Sequence, residues 1–214
     1  MSAQTIYDKL RAAGLTHAGA CGMLGNLMAE SSLISNIAQR GMTKLTDEQY
    51  TAKFDTAPEV CYRDGVGYGL AQWTYWTRKK ELSEFANSKG VSVGDESMQV
   101  DFIVQELRKD FSALFSFLCT TDDLYAATDR VCREFERPAV NNVDRRYENA
   151  MIFDRDLSEE VGQVGGPYVP PDLSILVLQA VLVGNGYNVE ITGYNTEAFY
   201  AKLKEFVSDL GRIG

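Results

Sequence analysis

Thr16-His-Ala-Gly-Ala-Cys-Gly-Met-Leu-Gly-Asn-Leu-Met-Ala-Glu30-Ser31-Ser32 is the stretch from which the fold can be read. Thr16 is a good N-cap residue, because its hydroxyl can accept from a backbone N–H at the start of a helix. After it, Ala20, Met23, Leu24, Leu27 and Met28 recur at three- and four-residue intervals, the spacing of one buried helical face over 17–30. Glu30 stands at the end of that face. Burial beside Leu27 and Leu33, together with the negative end of the helix dipole, favours a neutral carboxylic acid there, which is a proton donor. The pattern fits equally a solvated glutamate at a helix C-terminus, so the chemistry needs a second segment.

That segment is Asp64-Gly-Val-Gly-Tyr-Gly-Leu-Ala-Gln-Trp-Thr74. Gly65, Gly67 and Gly69 alternate, giving a backbone that an extended polymer can approach closely. Gln72 can present a carbonyl and an amide to acetamido or hydroxyl groups, while Tyr68, Trp73 and Trp76 offer flat apolar faces suited to pyranose rings. An aromatic cluster of this kind also reads as plain core. Combined with a neutral acid, the set is suited to protonating a glycosidic oxygen in a bound sugar chain.

Ala29-Glu30-Ser31 and Gly69-Leu70-Ala71-Gln72-Trp73-Thr74 resemble the motifs of the phage tail lysozyme family, distant relatives of goose-type lysozymes and soluble lytic transglycosylases. Phe135-Glu136-Arg137-Pro138, with Arg145, Arg146, Tyr147 and Ala150, is similar to the closing helices of that family. The resemblance covers roughly residues 1 to 160. It implies a mainly α, lysozyme-like domain that cleaves the β-1,4 bond between N-acetylmuramic acid and N-acetylglucosamine of bacterial peptidoglycan. It further implies Glu30 as general acid, with Ser31, Tyr68, Gly69, Gln72, Trp73 and Thr74 at the substrate.

A second carboxylate is expected about 5 to 10 Å from the acid if the enzyme uses a nucleophile or base. Asp64 is best placed among Asp47, Glu48, Asp55, Glu59 and Asp64, because it directly precedes the glycine-rich segment. An aspartate before glycine is also a turn-capping residue. A lytic transglycosylase needs no second carboxylate, since the substrate's own 6-hydroxyl attacks.

Other chemistries find less support. His17 and Cys21 are four residues apart and share a helix face, as a Cys-His amidase would need, but an apolar core cysteine explains Cys21 as well. Cys61, Cys119 and Cys132 show no Cys-x-x-Cys spacing, so neither a metal nor a cofactor is expected. The Gly65–Gly69 run lacks the lysine of a phosphate cradle. The net charge is −9, divided as −7 over residues 1–161 and −2 over 162–214, with no basic stripe. Nucleic acid is therefore an unexpected partner, and adhesion to an anionic wall has to rest on stacking and hydrogen bonds.

No segment approaches a membrane span, and the N-terminus has no apolar signal core. A wall enzyme of this description is expected to be made in the host cytoplasm and to reach the wall after release, as a phage endolysin does. Alternatives are a virion tail protein of mainly structural role and a catalytically dead wall binder. A monomer is expected.

Helices are expected near 3–13, 17–30, 46–54, 75–88, 95–119, 122–136 and 143–159, with irregular backbone around 57–71. The stretch from Met98 to Leu118 is the longest amphipathic pattern and the expected central element. Glycines and three prolines in 162–172 mark a linker between a catalytic domain, 1–161, and a small helical domain, 173–214. There, Leu178-Gln179 to Gly186-Tyr187, then Thr192-Gly193-Tyr194-Asn195-Thr196, resembles the small helical peptidoglycan-binding module. The aspartate usual at Thr192 and the Phe-Gln ending are missing. Tyr187, Tyr194 and Asn195 are the wall-binding candidates, and a packing appendage without a ligand is the alternative.

Overall fold

The computed structural model describes residues 3–140 and 142–157, together with Leu182 and Phe206. The chain divides into two compact units, 1–159 and 160–214. In the second unit, Leu182 is helical and buried and Phe206 is helical and half-buried. The linker at 162–172 and the candidates Tyr187, Tyr194 and Asn195 lie outside the described residues.

The first unit is mainly α. Its elements are α1 (Ala3–Ala12), α2 (His17–Ser31), α3 (Asp47–Thr56), a 3-10 turn (Pro58–Val60), α4 (Trp76–Lys89), α5 (Glu96–Lys109), α6 (Ser112–Leu118), α7 (Leu124–Arg130), a π-helical segment (Val131–Glu136) and α8 (Val143–Asp156). Side chains start several of them. Thr16 accepts from Gly19 N, Asp95 from Met98 N and Asp123 from Ala126 N. Thr46 and Gln49 close a reciprocal capping box at α3. None of the described helices is long and apolar enough to cross a membrane.

The centre is α2 rather than the Met98–Leu118 stretch. Every residue of α2 from Ala18 to Leu27 is buried, so it is enclosed on all sides and not only along one stripe. Three glycines explain how neighbours come so close. A Cβ on Gly19 would stand 2.2 Å from Leu118 O, one on Gly22 2.9 Å from the Ala127 Cβ, and one on Gly25 2.5 Å from Arg146 O. The end of α6, then α7, then α8 thus lie directly on the backbone of α2. Met28, expected on the buried face, is exposed.

The expected 95–119 helix is two. Asp110 N and Phe111 N both donate to Glu106 O, and Phe111 leaves helical geometry at φ −129°, ψ 41°. The break turns the Phe111 ring onto Phe135, 5.2 Å away between centroids. The expected 122–136 helix also changes winding. Arg137 N bonds to Cys132 O at 2.8 Å, an i to i−5 bond, and Arg137 then turns left-handed at φ 51°. Such wide turns occur often at functional sites.

Between α2 and α4 the glycine-rich segment forms a tight turn. Tyr68 and Trp73 exchange both backbone bonds, Gln72 N closes on Gly69 O, and Gly69 N and Gln39 N tie the turn to the 37–39 strand-like segment.

Candidate functional site

Glu30 is carried to the surface by the last turn of α2, where Ser32 terminates the helix in left-handed geometry at φ 54°. Its carboxylate meets Arg146 of α8, with Nη2 2.6 Å from Oε1. The apolar setting expected beside Leu27 and Leu33 is therefore interrupted by a guanidinium. Arg146 is nearly buried and also donates through Nη1 to Asn26 Oδ1 at 3.2 Å. Asn26 is buried and anchored in turn, its amide donating to Gly22 O and Thr128 O. One polar chain thus runs from α7 through α2 to α8 and ends at Glu30.

Glu30 opens into a cleft of about 1100 Å³, shared with Gln72, Thr74, Tyr75, Arg78 and Glu136. Gly65, Phe111 and Phe135 also line it. Gln72 is half-exposed and holds φ at 45°, with Nε2 donating to Gly69 O at 2.9 Å and to Ile37 O at 3.3 Å. Thr74 is exposed and its hydroxyl donates to Gln72 O.

Four of the expected substrate contacts sit behind the wall instead of on it. Tyr68 and Trp73 are 0% and 1% exposed, so neither presents a ring face to the cleft. The exposed aromatic ring on the cleft lining is that of Tyr75; Trp76 lines a neighbouring open hollow with Tyr75, and Arg63 stacks over its ring at 4.3 Å. Ser31 is buried and donates to Leu27 O and to Leu70 O at 2.9 Å, which fastens the end of α2 to the glycine-rich turn. Gly69 is buried too. A Cβ there would stand 2.7 Å from Gln99 Oε1, so its glycine admits a side chain, not a sugar. Gln99 is a hub the sequence did not reveal: it accepts from Leu70 N and donates to Ser35 O and Val93 O.

Trp73 acts through a chain of bonds. Its Nε1–H donates to Glu106 Oε2 at 2.9 Å, and Glu106 is gripped by Arg78 through Nε at 2.6 Å and Nη2 at 2.9 Å. Arg78 Nη1 then reaches Phe135 O at 3.3 Å, and its guanidinium lies 4.6 Å from the Phe135 ring. The indole therefore braces the backbone next to Glu136 across α4 and α5. Burial opposes the Arg78 charge most, but hydrogen bonding to Glu106 together with the attraction of nearby carboxylates, Glu106 first, outweighs it and raises the guanidinium further.

Asp64 is not on the cleft lining. Its Oδ1 accepts from Lys79 Nζ at 2.8 Å and Val66 N at 3.0 Å, and its Oδ2 from the Tyr50 hydroxyl at 2.7 Å. Burial works against this carboxylate, yet the hydrogen bonds from Lys79, Val66 N and Tyr50 hold it below the usual aspartate range. Lys79 is fully buried, and that desolvation lowers its ammonium despite the attraction of Asp64. The arrangement is the turn-capping one, with a buried ion pair added.

Glu136 was noted in the sequence only as part of a motif. Here its carboxyl shares the cleft with Glu30, and burial first, then the charge of Glu30, pushes it well above the usual glutamate range. No spacing in the sequence brings residues 30 and 136 together; the π-helical turn does.

His17, Cys21 and Asp154 bring ligand atoms within 4.8 Å of one another, away from the cleft lining. His17 already meets Asp154 Oδ1 at 3.0 Å and the Tyr7 hydroxyl at 2.7 Å. Burial pushes the Cys21 thiol up to about 12, which leaves it a poor ligand and a poor nucleophile near neutrality.

The sequence model of the family described as phage tail lysozyme matches residues 1–153. The chain belongs to that family, and with it to a lysozyme-like, peptidoglycan-cleaving role.

Proposed function

We propose, for a phage tail lysozyme family member with this cleft, that the chain is an endolysin cutting the β-1,4 bond between N-acetylmuramic acid and N-acetylglucosamine. The observation that carries the reading is Glu30 at the mouth of a cleft large enough for several sugar rings, held in place by Arg146. Glu30 delivers the proton to the leaving oxygen, and Gln72 and Thr74 offer polar groups to the acetamido and hydroxyl substituents. Tyr75 supplies a ring face in place of Tyr68 and Trp73. In this reading the protein is made in the host and acts on the wall after release, and residues 173–214 add a wall anchor through Tyr187, Tyr194 and Asn195.

The engagement of Asp64 by Lys79 and Tyr50 favours a second reading, lytic transglycosylation, in which the substrate's 6-hydroxyl attacks. Mass spectrometry of muropeptides released from purified peptidoglycan separates the two. Hydrolysis leaves reducing ends and transglycosylation leaves 1,6-anhydro rings; intact glycan with cleaved peptide stems would contradict both.

A further inference from the structure

Beside the cleft lies a second, open hollow of about 450 Å³, lined by Tyr62, Arg63, Gly65, Thr74, Tyr75 and Trp76. Gly65, Thr74 and Tyr75 line both, so the two spaces meet along these three residues. The ridge between them is low at Gly65, where a Cβ would have no atom within 4 Å and where φ is +73°. Arg63 is exposed, yet its guanidinium is held over the Trp76 ring, 4.3 Å from the centroid. A cation resting on a ring is restrained in place and still has N–H donors to offer. Among the described residues no carboxylate pairs with it, whereas Arg78, Arg130, Arg133 and Arg146 each have one. The neighbouring Asp64 is taken by Lys79, Val66 N and the Tyr50 hydroxyl.

We propose that this hollow receives the peptide stem of the peptidoglycan strand lying in the cleft, with Arg63 pairing a stem carboxylate. The inference rests on reading the cleft as a glycan-cleaving site. A stem branches sideways from the muramic acid of a bound strand, and it reaches the hollow by crossing the low ridge at Gly65. Stems carry free carboxylates, which match the planar fork of a guanidinium. The exposed Tyr75 and Trp76 rings cover the aliphatic parts of the stem. The Thr74 hydroxyl, whose proton goes to Gln72 O, accepts from a stem amide. In a chain of net charge −9, which an anionic wall repels, this one unmatched cation gives a local attraction and makes the enzyme sensitive to the charge of the stem.

The test is KM of the full chain, wild type against Arg63→Gln, on soluble stem-bearing glycan strands and on the same strands with their stem carboxylates converted to methylamides. Methylamidation should raise the wild-type KM about tenfold, the worth of one charge-assisted pair. Arg63→Gln should show that raised KM on both substrates, with kcat within about twofold of wild type. An unchanged KM in the variant, or a rise of the same size on charged and methylamidated strands, would overturn the proposal. If wild type cuts neither substrate, the glycan-cleaving reading fails, and the indole N–H resonances of the two tryptophans then decide. Stem peptides released by an amidase should shift the Trp76 resonance, leave that of the buried Trp73 in place and lose their effect in Arg63→Gln. A Trp76 resonance unmoved by the peptides, or moved equally in the variant, would overturn the proposal.

Discussion

Arg146 Nη2 lies 2.6 Å from Glu30 Oε1, joining two residues 116 positions apart in the chain. The pair fixes the position of the proposed acid, and its dependence on α8 makes helix packing and chemistry one problem. Arg146→Met should therefore lower stability by about 3 kcal/mol, because Glu30 and Asn26 lose a nearly buried partner. Turnover should fall with it. Thermal melting and peptidoglycan clearing check the two effects, and a variant with wild-type values in both would show the ion pair to be incidental.

Gly25 is where that packing is tightest at the site. Gly25→Ala would place a Cβ 2.5 Å from Arg146 O and 2.7 Å from the Ala150 Cβ, so α8 must retreat. A loss of about 1–3 kcal/mol is expected, the ordinary cost of overpacking. Since Arg146 moves with its backbone, kcat should fall more than the fraction unfolded explains. Urea titration and assay of the folded fraction separate the terms.

Trp73 tests whether the indole braces or binds. Trp73→Phe keeps most of the buried ring but removes the N–H that meets Glu106 at 2.9 Å. Stability should drop by about 1–2 kcal/mol. KM for a soluble glycan fragment should stay within about twofold, because the ring is buried behind the wall. A rise in KM without loss of stability would return Trp73 to the role of sugar platform.

Asp64 tests structure against catalysis at one position. Asp64→Asn leaves the fully buried Lys79 without its anion, and a loss on the order of 3 kcal/mol follows. The sign of its pH dependence is fixed by a folded carboxyl held below the ordinary 3.8. Its contribution is present above the unfolded value and disappears as pH falls through the folded one. Wild type should therefore lose stability more steeply than Asp64→Asn below about pH 4 in acid titrations followed by circular dichroism. Turnover per folded molecule should remain close to wild type, and its abolition would make Asp64 catalytic after all.

Helix positions were legible because their starts are local. Thr16, Thr46, Asp95 and Asp123 each sit at a cap that a short window of sequence exposes. The break at Asp110 and Phe111 was not legible, since it involves neither glycine nor proline and is driven by the packing of Phe111 on Phe135. The pairing of Glu30 with Arg146 and its shared cleft with Glu136 depend on contacts across more than a hundred residues, which no periodicity encodes. Tyr68 and Trp73 show the limit in the other direction. Their residue types suit sugar stacking and core packing equally, and only the turn from Gly69 to Gln72 determines that both rings point inward.

The central claim is that Glu30 delivers the proton that breaks the glycosidic bond, and clearing of purified peptidoglycan by wild type and Glu30→Gln measures it directly. Wild type should release soluble muropeptides while Glu30→Gln, folded to the same melting profile, loses at least about 10³-fold in rate. Retention of more than a few per cent of the wild-type rate by the folded variant would contradict it.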